Sequence, residues 1–131
     1  MQPTILIVED HAVVRRSLCA WLSVMLPDCR LVEAQSGEEA LALTDAQPPD
    51  LVLMDIGLPG MNGIEATRRI KAIAPKTPVV MLSIHEEEAF KLDATAAGAS
   101  AFVCKRVMQT ELMPVIQTLL YREEINGQVA A

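Results

Sequence analysis

The chain has 131 residues, and 11 basic against 17 acidic side chains leave a net charge of −6 with both histidines neutral. At this length one domain buries roughly two-thirds of the surface its extended chain would expose, so a core needs no disulfide or structural metal, and a hydrophobic content of 51% excludes disorder. No apolar run approaches the ~20 residues of a membrane span, and the pI of about 4.8, with basic residues only singly or in pairs, excludes a stripe for nucleic acid.

The start, Met1-Gln2-Pro3-Thr4, carries no positive charge and is not a secretory signal. The first apolar run is Ile5 to Val8. Val14, Leu18, Leu22 and Met25 then recur at helical spacing until Pro27 stops them. Arg30 to Glu33 is a strand with polar ends, which suggests an edge. Ser36-Gly37-Glu38-Glu39 is a capping box opening a helix that Pro48-Pro49 closes. Leu51 to Met54 is apolar throughout. Ile64, Thr67, Ile70 and Ile73 form a third helical stripe before Pro75, and Val79 to Leu82 is another apolar run. A fourth helix spans about Glu86 to Gly98, the glycine ending it. Ala101 to Cys104 is the last run. The final helix spans about Glu111 to Glu123, with Pro114 predicting a late or frayed start and Asn126-Gly127 ending it.

Four of the five runs lack the alternation of a half-exposed strand, as in a parallel sheet covered by helices on both faces. Five strands alternating with five helices make an open doubly wound α/β sheet. Such sheets bind ligands beyond the carboxyl ends of their strands. Residues 1–124 are expected to form the domain, and 125–131 a tail or the start of a linker. Cys19, Cys29 and Cys104, odd in number and widely spaced, suit free thiols in a reducing cytosol.

The residues following the runs are Glu9-Asp10, Asp55, Ser83 and Lys105, and all would converge on one rim. Polar strand ends are common, and an aspartate at a helix start often only caps it. Capping explains poorly three carboxylates sharing a rim with one lysine and one hydroxyl. Close carboxylates raise one another's pKa unless a cation sits among them. Oxygen ligands favour Mg²⁺. Zinc is disfavoured, because neither histidine belongs to a ligand motif and the cysteines are far apart. A carboxylate beside a divalent ion and a lysine is also a feasible nucleophile toward phosphorus.

The stretches ILIVEDH at 5–11, LVLMDIGLPGMNG at 51–63, PVVMLSIH at 78–85 and GASAFVCK at 98–105 together resemble the receiver domains of bacterial two-component response regulators. The resemblance covers about residues 4–122. It implies a flavodoxin-like fold with strand order 2-1-3-4-5. It also implies that Asp55 accepts a phosphoryl group from a sensor histidine kinase or a small phosphodonor, with no enzymatic activity beyond self-catalysed phosphorylation and dephosphorylation. Asp10, Asp55 and the backbone carbonyl of Gly57 would ligate Mg²⁺, and Glu9 would hold it through water. Lys105 would pair with Asp55 and then with the phosphoryl oxygens. Ser83 would donate its hydroxyl to the phosphoryl group, and Phe102 matches the aromatic whose rotamer follows.

His11 and the LSIHEEE segment at 82–88 look like regulators that carry a LuxR-type helix-turn-helix output domain, which this chain lacks. The expected protein is a cytoplasmic switch in transcription control, with no nucleic-acid or membrane binding of its own. Its first helix and fourth-helix face both offer surfaces for a homodimer. A rival is an interaction module of the same fold that works without phosphorylation. Ile84 leans that way, since a branched side chain after Ser83 is expected to narrow access to the pocket. His11 is read as a helix-entry residue and His85 as an exposed residue at a helix start. The rival reading of Phe102, from its position on the last strand, is packed core. Arg106 after Lys105 makes a cis bond improbable there.

Overall fold

The computed structural model describes residues 2–130, with side chains described for residues 2–121. In chain order the elements are β1 (Thr4–Val8), α1 (Ala12–Met25), β2 (Arg30–Ala34), α2 (Gly37–Ala46), β3 (Leu51–Asp55), α3 (Gly63–Ile73), β4 (Val79–Ser83), α4 (Glu88–Ala96) and β5 (Ala101–Cys104). A 3-10 turn (Lys105–Val107) leads into α5 (Met108–Ala130). All strands are parallel, in the order β2-β1-β3-β4-β5.

Successive strand residues point to opposite faces, and the sheet sorts its side chains accordingly. Ile5, Ile7, Leu51, Leu53, Val80, Leu82 and Val103 pack against Leu18 and Leu22 of α1 and Leu112, Met113 and Ile116 of α5. Leu6, Val8, Val52, Met54, Val79 and Met81 pack against Ala40 of α2, Ala66 and Ile70 of α3, and Ala94 of α4. Every residue of β3 and β4 is buried, as strands apolar at nearly every position require.

The expected edge strand is β2, exposed at Arg30 and Glu33. The capping box forms: Ser36 Oγ accepts from Glu39 N at 3.0 Å, and Glu39 Oε1 accepts from Gln35 N at 3.1 Å. Gly98 ends the fourth-helix region at φ +106°, a left-handed conformation in which a side chain is strained.

Three expectations need correction. β5 is not buried on both faces: it is the other edge, and only Val103 of its four residues is fully buried. α4 begins at Glu88, not Glu86, because Glu87 at the N-cap has extended backbone (φ −62°, ψ 139°). α5 begins earlier than Glu111 and runs through Pro114 and past Asn126-Gly127. Pro114 faces solvent, while Leu112, Met113 and Ile116 on either side are fixed against the sheet, so packing overrides the proline's missing N–H. The presumed tail, 125–131, lies outside the residues with described side chains.

Candidate functional site at the carboxyl rim

Strand register sets the site. Val8 of β1 pairs with Met54 of β3, so Glu9 and Asp55 come level just beyond them. Both continue the odd-numbered rows that face α1 and α5. Ser83 and Phe102 lie on the opposite rows, with Met81, facing α3 and α4. The 3-10 turn after β5 carries Lys105 back over the rim on the Glu9 and Asp55 side.

Lys105 Nζ donates to Glu9 Oε1 at 3.0 Å and lies 3.2 Å from Asp55 Oδ1. Glu9 and Asp55 are buried, at 3% and 7% exposure. Lys105 therefore serves both carboxylates, where the resemblance implied only Asp55. Gly57 N donates to Asp55 Oδ1 at 3.3 Å. Gly63, the first residue of α3, fits against the Asp55 backbone so closely that a Cβ would meet the Asp55 carbonyl and lie 2.8 Å from Ile56 Cα. The position of Asp55 is thus fixed by a neighbouring helix start.

Electrostatics pull the two carboxyls apart. Burial pushes the Asp55 carboxyl above its ordinary value, more than Lys105 lowers it, and the Glu9 charge adds to the rise. Glu9 ends below its ordinary value: burial opposes ionisation, but the His11 backbone N–H, at 3.1 Å from Oε2, and the Lys105 ammonium outweigh it. Burial would lower the Lys105 ammonium, yet Glu9 and Asp55 together hold it above its usual range.

Asp10 joins through Glu9. Among the described residues, Asp10 Oδ1 is buried without a hydrogen-bond partner. Glu9, Asp10 and His11 each offer a ligand atom within 4.8 Å of the others. An orphaned carboxylate oxygen beside a second carboxylate is chemically suited to a hard divalent cation, so the residues present fit one.

Ser83 is fully buried, and its Oγ accepts from His85 N at 2.9 Å, leaving the hydroxyl proton to donate elsewhere. Phe102 is half-buried in the core of the α3 and α4 face. Ile84 is 74% exposed. The Lys105–Arg106 bond is trans. His85 stacks on Phe90 with ring centroids 4.7 Å apart.

The sequence did not mark Arg15 or Arg106 as part of the rim. Arg15 Nη1 donates to the Glu9 carbonyl at 2.8 Å and its Nε to Glu33 at 2.9 Å, fastening α1 to β1 and β2. Arg106 Nη2 donates to Glu86 Oε1 at 2.8 Å, tying the turn after β5 to the loop after β4. Arg15 lies one helical turn beyond His11, the spacing that shares a helix face. No comparable signal links Arg106 to Glu86.

The sequence matches the model of the response regulator receiver domain family over residues 5–117. It is 36% identical over 116 residues to the transcriptional activator protein ExaE of Pseudomonas putida, across 88% of this chain and 54% of that protein. It is 31% identical over 114 residues to the nitrate/nitrite response regulator protein NarL of Escherichia coli (strain K12), across 86% and 52%. The crystal structure of a LuxR-family two-component response regulator from Aurantimonas sp. SI85-9A1 superposes with a TM-score of 0.85 at 36% identity, over 92% of this chain and 86% of that one. The chain spans about half the length of the curated relatives it matches.

Proposed function

The chain belongs to the response regulator receiver domain family of two-component systems, and on that premise we propose that it accepts a phosphoryl group on Asp55 from a sensor histidine kinase in a Mg²⁺-dependent reaction. The observation that carries this reading is the buried Asp55 carboxylate held 3.2 Å from Lys105 at the sheet's carboxyl rim. An Asp55 oxygen attacks phosphorus; the new O–P bond forms as the N–P bond of the donor phosphohistidine breaks, and the departing imidazole takes up a proton. Burial leaves the carboxylate poorly solvated, which supports its role as nucleophile. The Lys105 ammonium neutralises charge on the transferring group and afterwards pairs with its oxygens. Asp10, Asp55 and the Gly57 carbonyl would hold Mg²⁺, with Glu9 acting through water, and the ion would supply further charge neutralisation.

Phosphorylation adds roughly −1.5 to −2 charges and strong acceptor oxygens. The Ser83 hydroxyl donates to them, drawing in the loop that leads to α4. Phe102, one strand over on the same face, follows into the space released. The two arrangements form a two-state equilibrium biased by the modification. The matched segment fills only about half of the relatives named as transcription regulators, which supports an output in transcription control through a domain outside this chain. We place this activity in the cytoplasm; among the described residues no helix is long and apolar enough to cross a membrane.

Incubation with acetyl phosphate and Mg²⁺, followed by intact-mass measurement, tests the chemistry. One phosphoryl group is expected on the wild type and none on Asp55→Asn. No gain, or equal gain in both, defeats the reading.

A further inference from the structure

We propose that His11 supplies a nitrogen ligand to the divalent ion held beside Glu9 and Asp10, making the site favour transition-metal ions over Mg²⁺ more than oxygen ligands alone would. The inference rests on the reading of Glu9 and Asp10 as metal-holding residues and extends it to their neighbour. His11 occupies the N-cap of α1 with extended backbone (φ −79°, ψ 110°), yet its side chain makes no cap hydrogen bond. The imidazole is instead turned over the acidic pair: Nδ1 lies 3.4 Å from Glu9 Oε2 and 3.5 Å from Asp10 Oδ1. The 3.5 Å separation from Asp10 Oδ1 approaches the roughly 3 Å between adjacent ligands of an octahedral ion with bonds of about 2.1 Å, and Glu9 Oε2 lies close enough to act through a bound water.

Glu9 Oε2 accepts from the His11 backbone N–H at 3.1 Å and keeps a second lone pair for the imidazole or a bound water. Lys105 occupies the other Glu9 oxygen, Oε1. Arg15 is spent on the Glu9 carbonyl and Glu33, not on the Glu9 carboxylate. Among the described residues Asp10 Oδ1 has no hydrogen-bond partner. The imidazole is 74% exposed and free to adjust. Mg²⁺ gains little from imidazole, being a hard ion that keeps oxygen ligands and water. Ni²⁺, Co²⁺ and Zn²⁺ bind it strongly. His11 therefore changes selectivity far more than it changes Mg²⁺ binding.

Calorimetric titration of the tag-free chain with Mg²⁺ and Ni²⁺, in wild type, His11→Ala and His85→Ala, measures that selectivity. His11→Ala is expected to weaken Ni²⁺ about tenfold or more while Mg²⁺ changes less than about twofold. His85→Ala, which removes the chain's other histidine, should alter neither. Pulsed EPR of the Mn²⁺-loaded chain should show coupling to an imidazole nitrogen that disappears only in His11→Ala. If both metals weaken equally, or the coupling persists without His11, the nitrogen-ligand inference is overturned while the acidic site stands. If the wild type binds no divalent ion, the acidic site and the inference fall together.

Discussion

The two ends of the sheet use the same strands and treat their polar groups in opposite ways. At the amino end, Thr4 N donates to Asp50 Oδ2 at 2.7 Å and Arg30 N to the Pro3 carbonyl at 2.7 Å. Thr77 Oγ1 donates to the Pro49 carbonyl at 3.0 Å, and Lys71 Nζ reaches the carbonyls of Pro75 and Thr77, both at 2.8 Å. At the carboxyl end, two buried carboxylates share one ammonium and an Asp10 oxygen has no hydrogen-bond partner. Satisfied hydrogen bonds at one end hold the framework against which electrostatic conflict persists at the other. Such conflict is what a reactive site needs and what stability alone would remove.

The glycines at the two ends offer the largest contrast. Gly63→Ala would drive a Cβ into the Asp55 and Ile56 backbone, which cannot yield cheaply, so a loss of about 3 kcal/mol or more is expected. Gly98→Ala meets the Lys71 side-chain stem, a side chain and not backbone, and the strain of a positive φ, for about 1–2 kcal/mol. Urea denaturation of both variants checks this, and equal losses would break the contrast.

Next in size is Lys105→Met, which leaves Glu9 and Asp55 without their cation. It should cost about 2 kcal/mol at neutral pH and clearly less in an Asp55→Asn background. A double-mutant cycle measures the coupling; strict additivity would mean that Lys105 does not hold the pair. At the quiet end, Thr77→Val strands the Pro49 carbonyl and should cost about 1 kcal/mol, equally at acidic and neutral pH.

The subtlest prediction concerns pH. Because the folded Asp55 carboxyl lies above its ordinary value, the folded state binds more proton between the two values. Its contribution to stability therefore falls as pH rises through that window. Glu9 has the opposite sign: its contribution is present above the unfolded value and lost as pH falls through the lowered folded value. Denaturation midpoints from acid to neutral pH should rise less steeply in Glu9→Gln and more steeply in Asp55→Asn than in wild type. Parallel curves for all three would show that neither carboxyl is perturbed.

The strand ends were legible because β3 and β4 are apolar at every core position, so the first polar residue marks the rim. The Ser36 cap was legible because its chemistry is local. The half-exposure of β5 was not, since an edge position depends on strand order and not on the composition of Ala101 to Cys104. Lys105's division between two carboxylates depends on the Glu9 and Asp55 registers together. The turning of His11 toward the acids was hidden for another reason: helix-entry residues normally spend their side chains on capping, and only in the folded chain is it visible that this one does not.

The contact between Glu9 and Lys105 joins groups 96 positions apart. A nascent chain holds the acidic pair early in synthesis, yet its pocket stays incomplete until β5 and the following turn have cleared the ribosome. The two buried carboxylates thus gain their shared cation only with the last strand, so an assembled pocket reports that the sheet has closed.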